Sequence, residues 1–250
     1  MSNIININNN LSALQSGVFP WNETIGDEFV EKTSNIKADT VVDLCAGSGH
    51  LGMTIAEVVR AKKVFLIDID HISCQTAKAL WRSDNFRQVS IYQTDIGNLT
   101  PMFLNHGLVV SNPPCAPLPG SLHLWRNVYG GRDGLLYVRK IFKWLSQCQG
   151  HIHFFIATYL LSQRKELSIV NIQRELGTVG ITLKNIYHFR KPAWNWIGIC
   201  EKNNPGRSEE IFNWYIEYCQ NNEKDTFKHF LKERPCTHNV LLEGKISCEV

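Results

Sequence analysis

Four polar residues in the first half of the chain stand at or near the ends of predicted strands, where they could bind a charged ligand. They are Asp43, Asp68, Asp95 and Asn112. Carboxylates accept hydrogen bonds from hydroxyl and amine groups, and an amide oxygen can accept the protons of a nitrogen that is about to react. Because ligands of an open parallel sheet bind beyond the carboxyl ends of its strands, these positions predict one shared site.

The segment from Asp43 to Gly49 predicts the end of a buried strand, a tight turn and the start of a helix. Gly47 and Gly49 let a ligand approach the backbone, and the N–H groups at a helix start favour an anionic or polar group. Asp43 adds a carboxylate, which suits a ligand with charges of both signs, such as the amino-acid part of S-adenosylmethionine. The spacing from Asp43 to Asp68 also fits a dinucleotide site, which remains an alternative at this point.

Buried strands that alternate with helices predict the elements that position these residues. The fold class is a doubly wound, mostly parallel α/β sheet, Rossmann-like, with an antiparallel closing strand and extra C-terminal helices. Asp133 is the predicted N-cap of the helix that precedes the fifth strand. The predicted strands cover residues 40–44, 63–68, 89–93, 107–112 and 151–158, with 181–189 and 195–200 as a closing pair. The predicted helices cover residues 23–33, 50–60, 70–81, 133–148 and 163–176.

Three parts of the chain are predicted. Residues 1–36 form an N-terminal lid segment and helix, and residues 37–203 form the catalytic domain that binds the cofactor. Residues 204–250 form a helical extension packed on the same domain, with amphipathic helices over 209–220 and 224–233. The role of this last part is left open by its sequence.

Composition excludes several classes of protein. The net charge of the 250 residues is +3 and the basic residues are scattered, so no nucleic-acid-binding stripe is predicted. The eight cysteines stand singly, which indicates neither a zinc ribbon nor a redox pair, and no metal site is predicted. With no secretory signal and no apolar run of about 20 residues, we expect a cytoplasmic protein that does not span a membrane.

Two motifs carry a resemblance to a known family. The segments Val110–Pro114, which reads Val-Ser-Asn-Pro-Pro, and Gly130–Leu135, which reads Gly-Gly-Arg-Asp-Gly-Leu, resemble class I S-adenosylmethionine-dependent methyltransferases over about residues 17–202. Within that superfamily the chain looks most like the release-factor glutamine methyltransferase group, which carries an Asn-Pro-Pro motif. The resemblance implies a cofactor, S-adenosylmethionine, and methyl transfer to nitrogen.

The resemblance also implies a role for each strand-end residue. Those that would bind the methionine part of the cofactor are Asp43, Ala46, Gly47 and Gly49. Those that would bind the ribose and the adenine are Asp68, Ile69, Asp95 and the backbone N–H of Ile96. Asn112, beside the cofactor, and Pro113 would be catalytic, because the Asn112 side-chain oxygen and the Pro113 carbonyl can accept the two protons of the acceptor nitrogen. The predicted substrate-binding residues are Trp21, Thr24, Pro114, Cys115, Trp125 and Tyr129.

Two departures from the family pattern shape the prediction for the acceptor. Cys115 stands where the family places an aromatic residue after the prolines, and only about 40 residues precede the first strand, where the family has a substrate-binding helical domain. We therefore expect a small-molecule or amino-acid-like amide or amine acceptor, in small-molecule biosynthesis. The alternatives are cyclisation or aminocarboxypropyl transfer that releases methylthioadenosine, methylation of a nucleic-acid amino group, and a cofactor-binding module without turnover.

Overall fold

The computed structural model describes residues 23–83, 87–115, 129–131, 133–160, 172–174, 177, 181–188, 213 and 238–248. A seven-stranded sheet with the strand order β3-β2-β1-β4-β5-β7-β6 runs through them. The strands are β1 (Thr40–Leu44), β2 (Lys63–Asp68), β3 (Gln88–Gln93), β4 (Phe103–Ser111), β5 (Gln149–Leu160), β6 (Thr182–His188) and β7 (His238–Cys248). The helices with described bounds are α1 (Glu23–Thr33), α2 (His50–Val59), α3 (His71–Leu80) and α4 (Leu136–Leu145).

Five strands, β1 to β5, run parallel, and their registers set the level of the candidate site. Leu44, the last residue of β1, pairs with Ile67 of β2 on one side and with Ser111 of β4 on the other. On β2 the last residue, Asp68, pairs with Gln93, the last residue of β3. The carboxyl ends of four neighbouring strands therefore stop at nearly the same height, as the sequence predicts.

Helices pack on both faces of the sheet, which confirms the doubly wound α/β prediction. One face buries Phe29 of α1, Ile55 of α2 and Ala77 of α3 against the sheet. The other face buries Ile141 and Phe142 of α4. Strands covered on both sides are mostly apolar, and β1 is buried from its second residue to its last, with Asp43 as its one charged residue.

The closing part of the sheet differs from the prediction. β7 lies between β5 and β6 and runs antiparallel to both, and β6 begins and ends close to its predicted bounds. The prediction of a helical extension over residues 204–250 is wrong for His238–Cys248, which is a strand of the sheet. Residues 195–200, which were the predicted partner of β6, lie outside the described residues, as do nearly all residues of the two predicted C-terminal helices.

The prediction that Asp133 is a helix N-cap is also wrong. α4 begins at Leu136, and Leu135 precedes it without a side-chain cap. Asp133 instead stabilises the turn before the helix. Its Oδ1 accepts the Leu135 N–H at 3.0 Å, and its carboxylate forms an ion pair with the Arg139 guanidinium. In the described part of the chain no helix is long and apolar enough to cross a membrane.

Candidate functional site

The ends of β1, β2 and β4 are tied together by hydrogen bonds. The Ser111 hydroxyl, at the end of β4, donates to the Leu44 carbonyl at 2.5 Å and is fully buried. Ala46, just beyond β1, donates its N–H to the Ile67 carbonyl of β2 at 3.0 Å. Asn112, the first residue after β4, therefore lies beside the end of β1, where the glycine turn begins.

The glycine turn presents an open face. Gly47 has a φ of +56°, and a Cβ added there would meet no atom of the described residues within 4 Å. Its N–H donates to Asp68 Oδ2 at 2.7 Å. Gly49 has a φ of +83° and is enclosed, since a Cβ there would lie 2.5 Å from Leu66 Cδ1. Gly49 is thus required by packing, whereas the space over Gly47 is available to a ligand.

Asp43 is buried beneath this turn, with a relative exposure of 1%. Its Oδ2 accepts the Gly52 N–H at 2.8 Å, and its Oδ1 is buried without a hydrogen-bond partner among the described residues. Burial, with a smaller contribution from the negative charge of Asp68, raises the pKa of Asp43 to about 8 against the lowering effect of the Gly52 N–H. A buried carboxyl oxygen with no partner is a feature that a bound cation can satisfy.

Asp68 points its carboxylate at the same turn. Besides the Gly47 N–H on Oδ2, its Oδ1 accepts the Asp70 N–H at 2.8 Å. Burial raises its pKa above the ordinary value, although these N–H groups counteract the effect. Each oxygen keeps a further acceptor site. Ile69, the next residue, is 56% exposed, which is a large apolar surface beside a strand end.

Asp95 has a partner that the sequence did not predict. Lys140 of α4 contacts both of its oxygens, at 3.1 Å and 2.9 Å, and the Gly97 N–H donates to Oδ1 at 2.7 Å. Burial opposes ionisation of Asp95, but the lysine and the N–H group outweigh it and hold the pKa below the ordinary value. Ile96 follows, with its side chain buried in the core.

The charged groups described above all act electrostatically on the thiol of Cys45. Burial raises the pKa of its thiol well above the ordinary value, and three carboxylates raise it further against the effect of Lys140. Those carboxylates belong to Asp43, Asp68 and Asp95. A thiol in these surroundings stays protonated at neutral pH, so Cys45 is poorly suited to act as a nucleophile.

The Asn-Pro-Pro turn ends against the second sequence motif. Asn112 is half-buried, Pro113 is buried, and Cys115 is only 6% exposed. A Cβ added to Gly130 would lie 2.5 Å from the Cys115 Cα atom, so only glycine allows the two backbones to touch. Tyr129, half-buried, directly precedes this contact.

The remaining predicted substrate-binding residues are only partly covered by the structure. Pro114 is half-buried beside Cys115. Thr24 lies in α1, but its side chain is outside the described residues. Trp21 and Trp125 lie outside them altogether. Of the predicted substrate-binding residues, the side chains that the structure describes are therefore those of Pro114, Cys115 and Tyr129.

The donor set fits S-adenosylmethionine. Open space over Gly47 can hold the methionine part, and the buried carboxyl oxygen of Asp43 lies beneath that turn. Asp68 has acceptor sites for two ribose hydroxyls, and Ile69 offers an apolar surface for a flat ring. Residues 13–118 match the family model of the methyltransferase small domain. Over this part the chain is similar to class I S-adenosylmethionine-dependent methyltransferases.

The family match and the structural neighbours support S-adenosylmethionine as the cofactor. The release factor glutamine methyltransferase of Corynebacterium glutamicum is 29% identical over 142 residues, which cover 50% of this chain and 49% of that protein. The chain spans about half the length of the curated relatives it matches.

Solved structures share the fold of this chain. The YcgJ protein of Bacillus subtilis has a TM-score of 0.59 at 13% identity, with 91% of this chain and 99% of that chain covered. A SAM-dependent methyltransferase from Aquifex aeolicus has a TM-score of 0.53 at 12% identity, with 94% and 97% covered. At these identities the likeness concerns the fold alone.

Proposed function

We propose that the protein is an S-adenosylmethionine-dependent N-methyltransferase whose acceptor nitrogen is held by Asn112 and Pro113. The observation that carries this proposal is the position of the Asn-Pro-Pro turn. The turn leaves β4 immediately after Ser111, whose hydroxyl is bonded to the end of β1, and β1 leads into the open glycine turn. A nitrogen at Asn112 would therefore lie next to a cofactor over Gly47.

The residues of the turn would act by positioning. S-adenosylmethionine supplies an electrophilic methyl group on a sulfonium. The Asn112 side-chain oxygen and the Pro113 carbonyl accept the two N–H groups of the acceptor, which turns the nitrogen lone pair toward that methyl group. Neither proline has an N–H that would compete for these acceptors. Fixed acceptors in this turn need no reorganisation during the reaction. Methyl transfer breaks the sulfonium S–C bond and leaves S-adenosylhomocysteine, and the proton of the methylated nitrogen passes to water, so no strong base is required.

For the cofactor we propose the contacts that the sequence predicts. Gly47, Gly49 and Ala46 would enclose the methionine part above Asp43. Asp68 would bind the ribose hydroxyls and Ile69 would cover the adenine. Asp95 and the Ile96 N–H would bind the adenine edge. Asp95 keeps acceptor capacity beside Lys140, because each carboxylate oxygen offers two acceptor sites.

The acceptor that we propose is a primary amide, and a glutamine side chain carried on a protein is the first candidate. Support comes from the relatives, which are named as glutamine methyltransferases of a release factor. A small amide-bearing molecule is the second candidate. Cys115 favours it, because a buried cysteine beside the turn gives a planar acceptor no ring on which to stack.

The test is a product assay with S-adenosylmethionine and several acceptors, read by mass spectrometry. We expect S-adenosylhomocysteine and an acceptor heavier by one methylene group with a glutamine-containing protein or peptide, or with a free primary amide. The matched acceptor carries glutamate instead of glutamine and should stay unmodified. Methylthioadenosine formed without an acceptor would contradict methyl transfer and favour cyclisation. Methylation of nucleic acid alone would contradict the amide acceptor.

Asp68→Ala should raise the dissociation constant of S-adenosylmethionine by roughly 10- to 100-fold, because hydrogen bonds to a charged group contribute about 1.5–3 kcal/mol. Calorimetric titration measures this directly. Asp70→Ala is the matched control, since Asp70 lies two residues away and caps α3 through the Ser73 N–H at 2.7 Å. That variant should lose some stability but keep its cofactor affinity. Equal affinity in Asp68→Ala and the parent protein would show that the ribose lies elsewhere.

A further inference from the structure

Trp81 contacts the cofactor turn from the far end of α3. It directly follows the last residue of that helix, and its Nε1–H donates to the Ser48 carbonyl at 2.7 Å. A Cβ on Gly49 would lie 3.0 Å from both Trp81 Cδ1 and Trp81 Nε1. The indole therefore touches the turn through a hydrogen bond and through its ring.

The Ser48 carbonyl needs a partner of this kind. In a regular helix it would accept the N–H of Gly52, four residues further on. Here the Gly52 N–H donates to Asp43 Oδ2 instead, and the first bond of α2 runs from the Met53 N–H to the Gly49 carbonyl at 3.1 Å. Asp43 and Trp81 thus bind the donor and the acceptor of one missing helical hydrogen bond, the Gly52 N–H and the Ser48 carbonyl.

The indole bond fixes the peptide plane between Ser48 and Gly49. The N–H of that same peptide donates to the Ala46 carbonyl at 2.8 Å, which closes the turn that contains Gly47. If the carbonyl were released, the plane could rotate at Gly49, where φ is already +83° and glycine tolerates several conformations. Rotation would break the Ala46 bond and move the Gly47 N–H.

His50 contacts both Ser48 and Trp81. Its Nδ1 lies 2.7 Å from the Ser48 hydroxyl, and its ring meets the Trp81 ring edge-on at a centroid distance of 5.3 Å. Burial lowers the pKa of His50, so at neutral pH the imidazole is neutral and its Nδ1 can accept a hydrogen bond from the Ser48 hydroxyl. The Ser48 side chain and its carbonyl are thereby held by two rings that also pack on each other.

We propose that Trp81 is a positioning residue for the cofactor, which keeps the turn from Gly47 to Gly49 in its binding conformation through the bond to the Ser48 carbonyl. This inference rests on the proposed function only in that the turn binds S-adenosylmethionine. It assigns part of the affinity to a side chain outside the turn and the strand ends. Trp81 itself need not contact the reacting atoms.

Trp81→Phe is the test, because it keeps an aromatic ring and removes the N–H. We expect the dissociation constant of S-adenosylmethionine to rise about 5- to 10-fold, the usual equivalent of one hydrogen bond. The KM for the cofactor should rise by the same factor while kcat stays within about twofold. Addition of the cofactor should also change the fluorescence of Trp81, and this part of the signal should vanish in the variant.

Trp144→Phe is the matched control. The Trp144 Nε1–H also donates to a backbone carbonyl, that of Thr100 at 3.3 Å, but Trp144 belongs to α4, is 2% exposed and packs in the core. This variant should lose stability and keep its cofactor affinity. Unchanged affinity in folded Trp81→Phe, or an equal loss in both variants, would overturn the proposal for Trp81. If the parent protein bound no S-adenosylmethionine, the proposed function would fail instead.

Discussion

Asn112→Ala should lower kcat by about 100- to 1000-fold, the usual loss when one fixed polar group of a transition-state site is removed. The dissociation constant of S-adenosylmethionine should change little. The reason is that Asn112 is proposed to hold the acceptor nitrogen, and this contact becomes most important as the N–C bond forms. Single-turnover kinetics with a saturating acceptor, together with calorimetric titration of the cofactor, separate the two effects.

Asn105→Ala is the matched control for this experiment, because Asn105 is an exposed asparagine on β4 at the end of the strand opposite to the site. Its kcat should stay within about twofold of the parent protein. Asn112→Asp tests the chemistry further, since it keeps an oxygen acceptor and loses the neutral amide. A variant Asn112→Ala with normal kcat and weakened cofactor binding would mean that Asn112 serves the cofactor and not the acceptor.

The centre of the parallel half of the fold was predictable because its strands are largely buried on both faces. Such strands are mostly apolar, so β1 and β2 were predicted to the residue. β4 is longer than predicted, since it begins at Phe103 and passes through an irregularity between Leu104 and Gly107, where His106 has a φ of +56°. An irregular strand interrupts the apolar pattern on which the prediction depends.

β7 could not be predicted from its own residues. It carries Glu243, which is 4% exposed in the middle of the strand, and a buried carboxylate argues against a core strand. The structure supplies its partners from β6, because the Asn185 amide and the Tyr187 hydroxyl each donate to Glu243 Oε2 at 2.6 Å. These contacts join segments more than fifty residues apart, a pairing that local sequence patterns do not contain.

In the candidate site, too, the residues set by sheet topology were predictable and those set by long-range packing were not. The residues at strand ends were predicted because sheet topology alone brings them together. Lys140 of α4 and Trp81 at the end of α3 were missed. Which residue of a helix reaches the site depends on how the helix packs, and the sequence does not show this. A lysine on an amphipathic helix ordinarily indicates an exposed face, so its bond to Asp95 had no signature in the sequence.

Asp43→Asn should raise the free energy of unfolding of the cofactor-free protein at neutral pH by on the order of 3 kcal/mol. The pKa of Asp43 is raised from 3.8 to about 8 by burial, with a further contribution from Asp68. The folded protein therefore binds this proton more tightly than the unfolded chain. The stability that the protonated carboxyl allows is complete below pH 3.8 and is lost progressively as the pH rises toward about 8.

Asparagine has no such proton to lose, and its side-chain oxygen can still accept the Gly52 N–H. Urea unfolding from about pH 5 to about pH 8 should show a falling free energy for the parent protein and a flatter profile for the variant. Asp39→Asn, an exposed aspartate just before β1, should follow the parent profile. Parallel profiles for the parent and Asp43→Asn would contradict the buried-proton account.

The cofactor should reverse the effect of this substitution. A bound ammonium group near Asp43 favours the ionised carboxylate, so the affinity of the parent protein for S-adenosylmethionine should rise as the pH approaches about 8. Asp43→Asn should bind more weakly and lose this part of the pH dependence, although its free form is more stable. A buried carboxyl oxygen that destabilises the empty fold and strengthens cofactor binding is best explained by selection for the ligand rather than for stability.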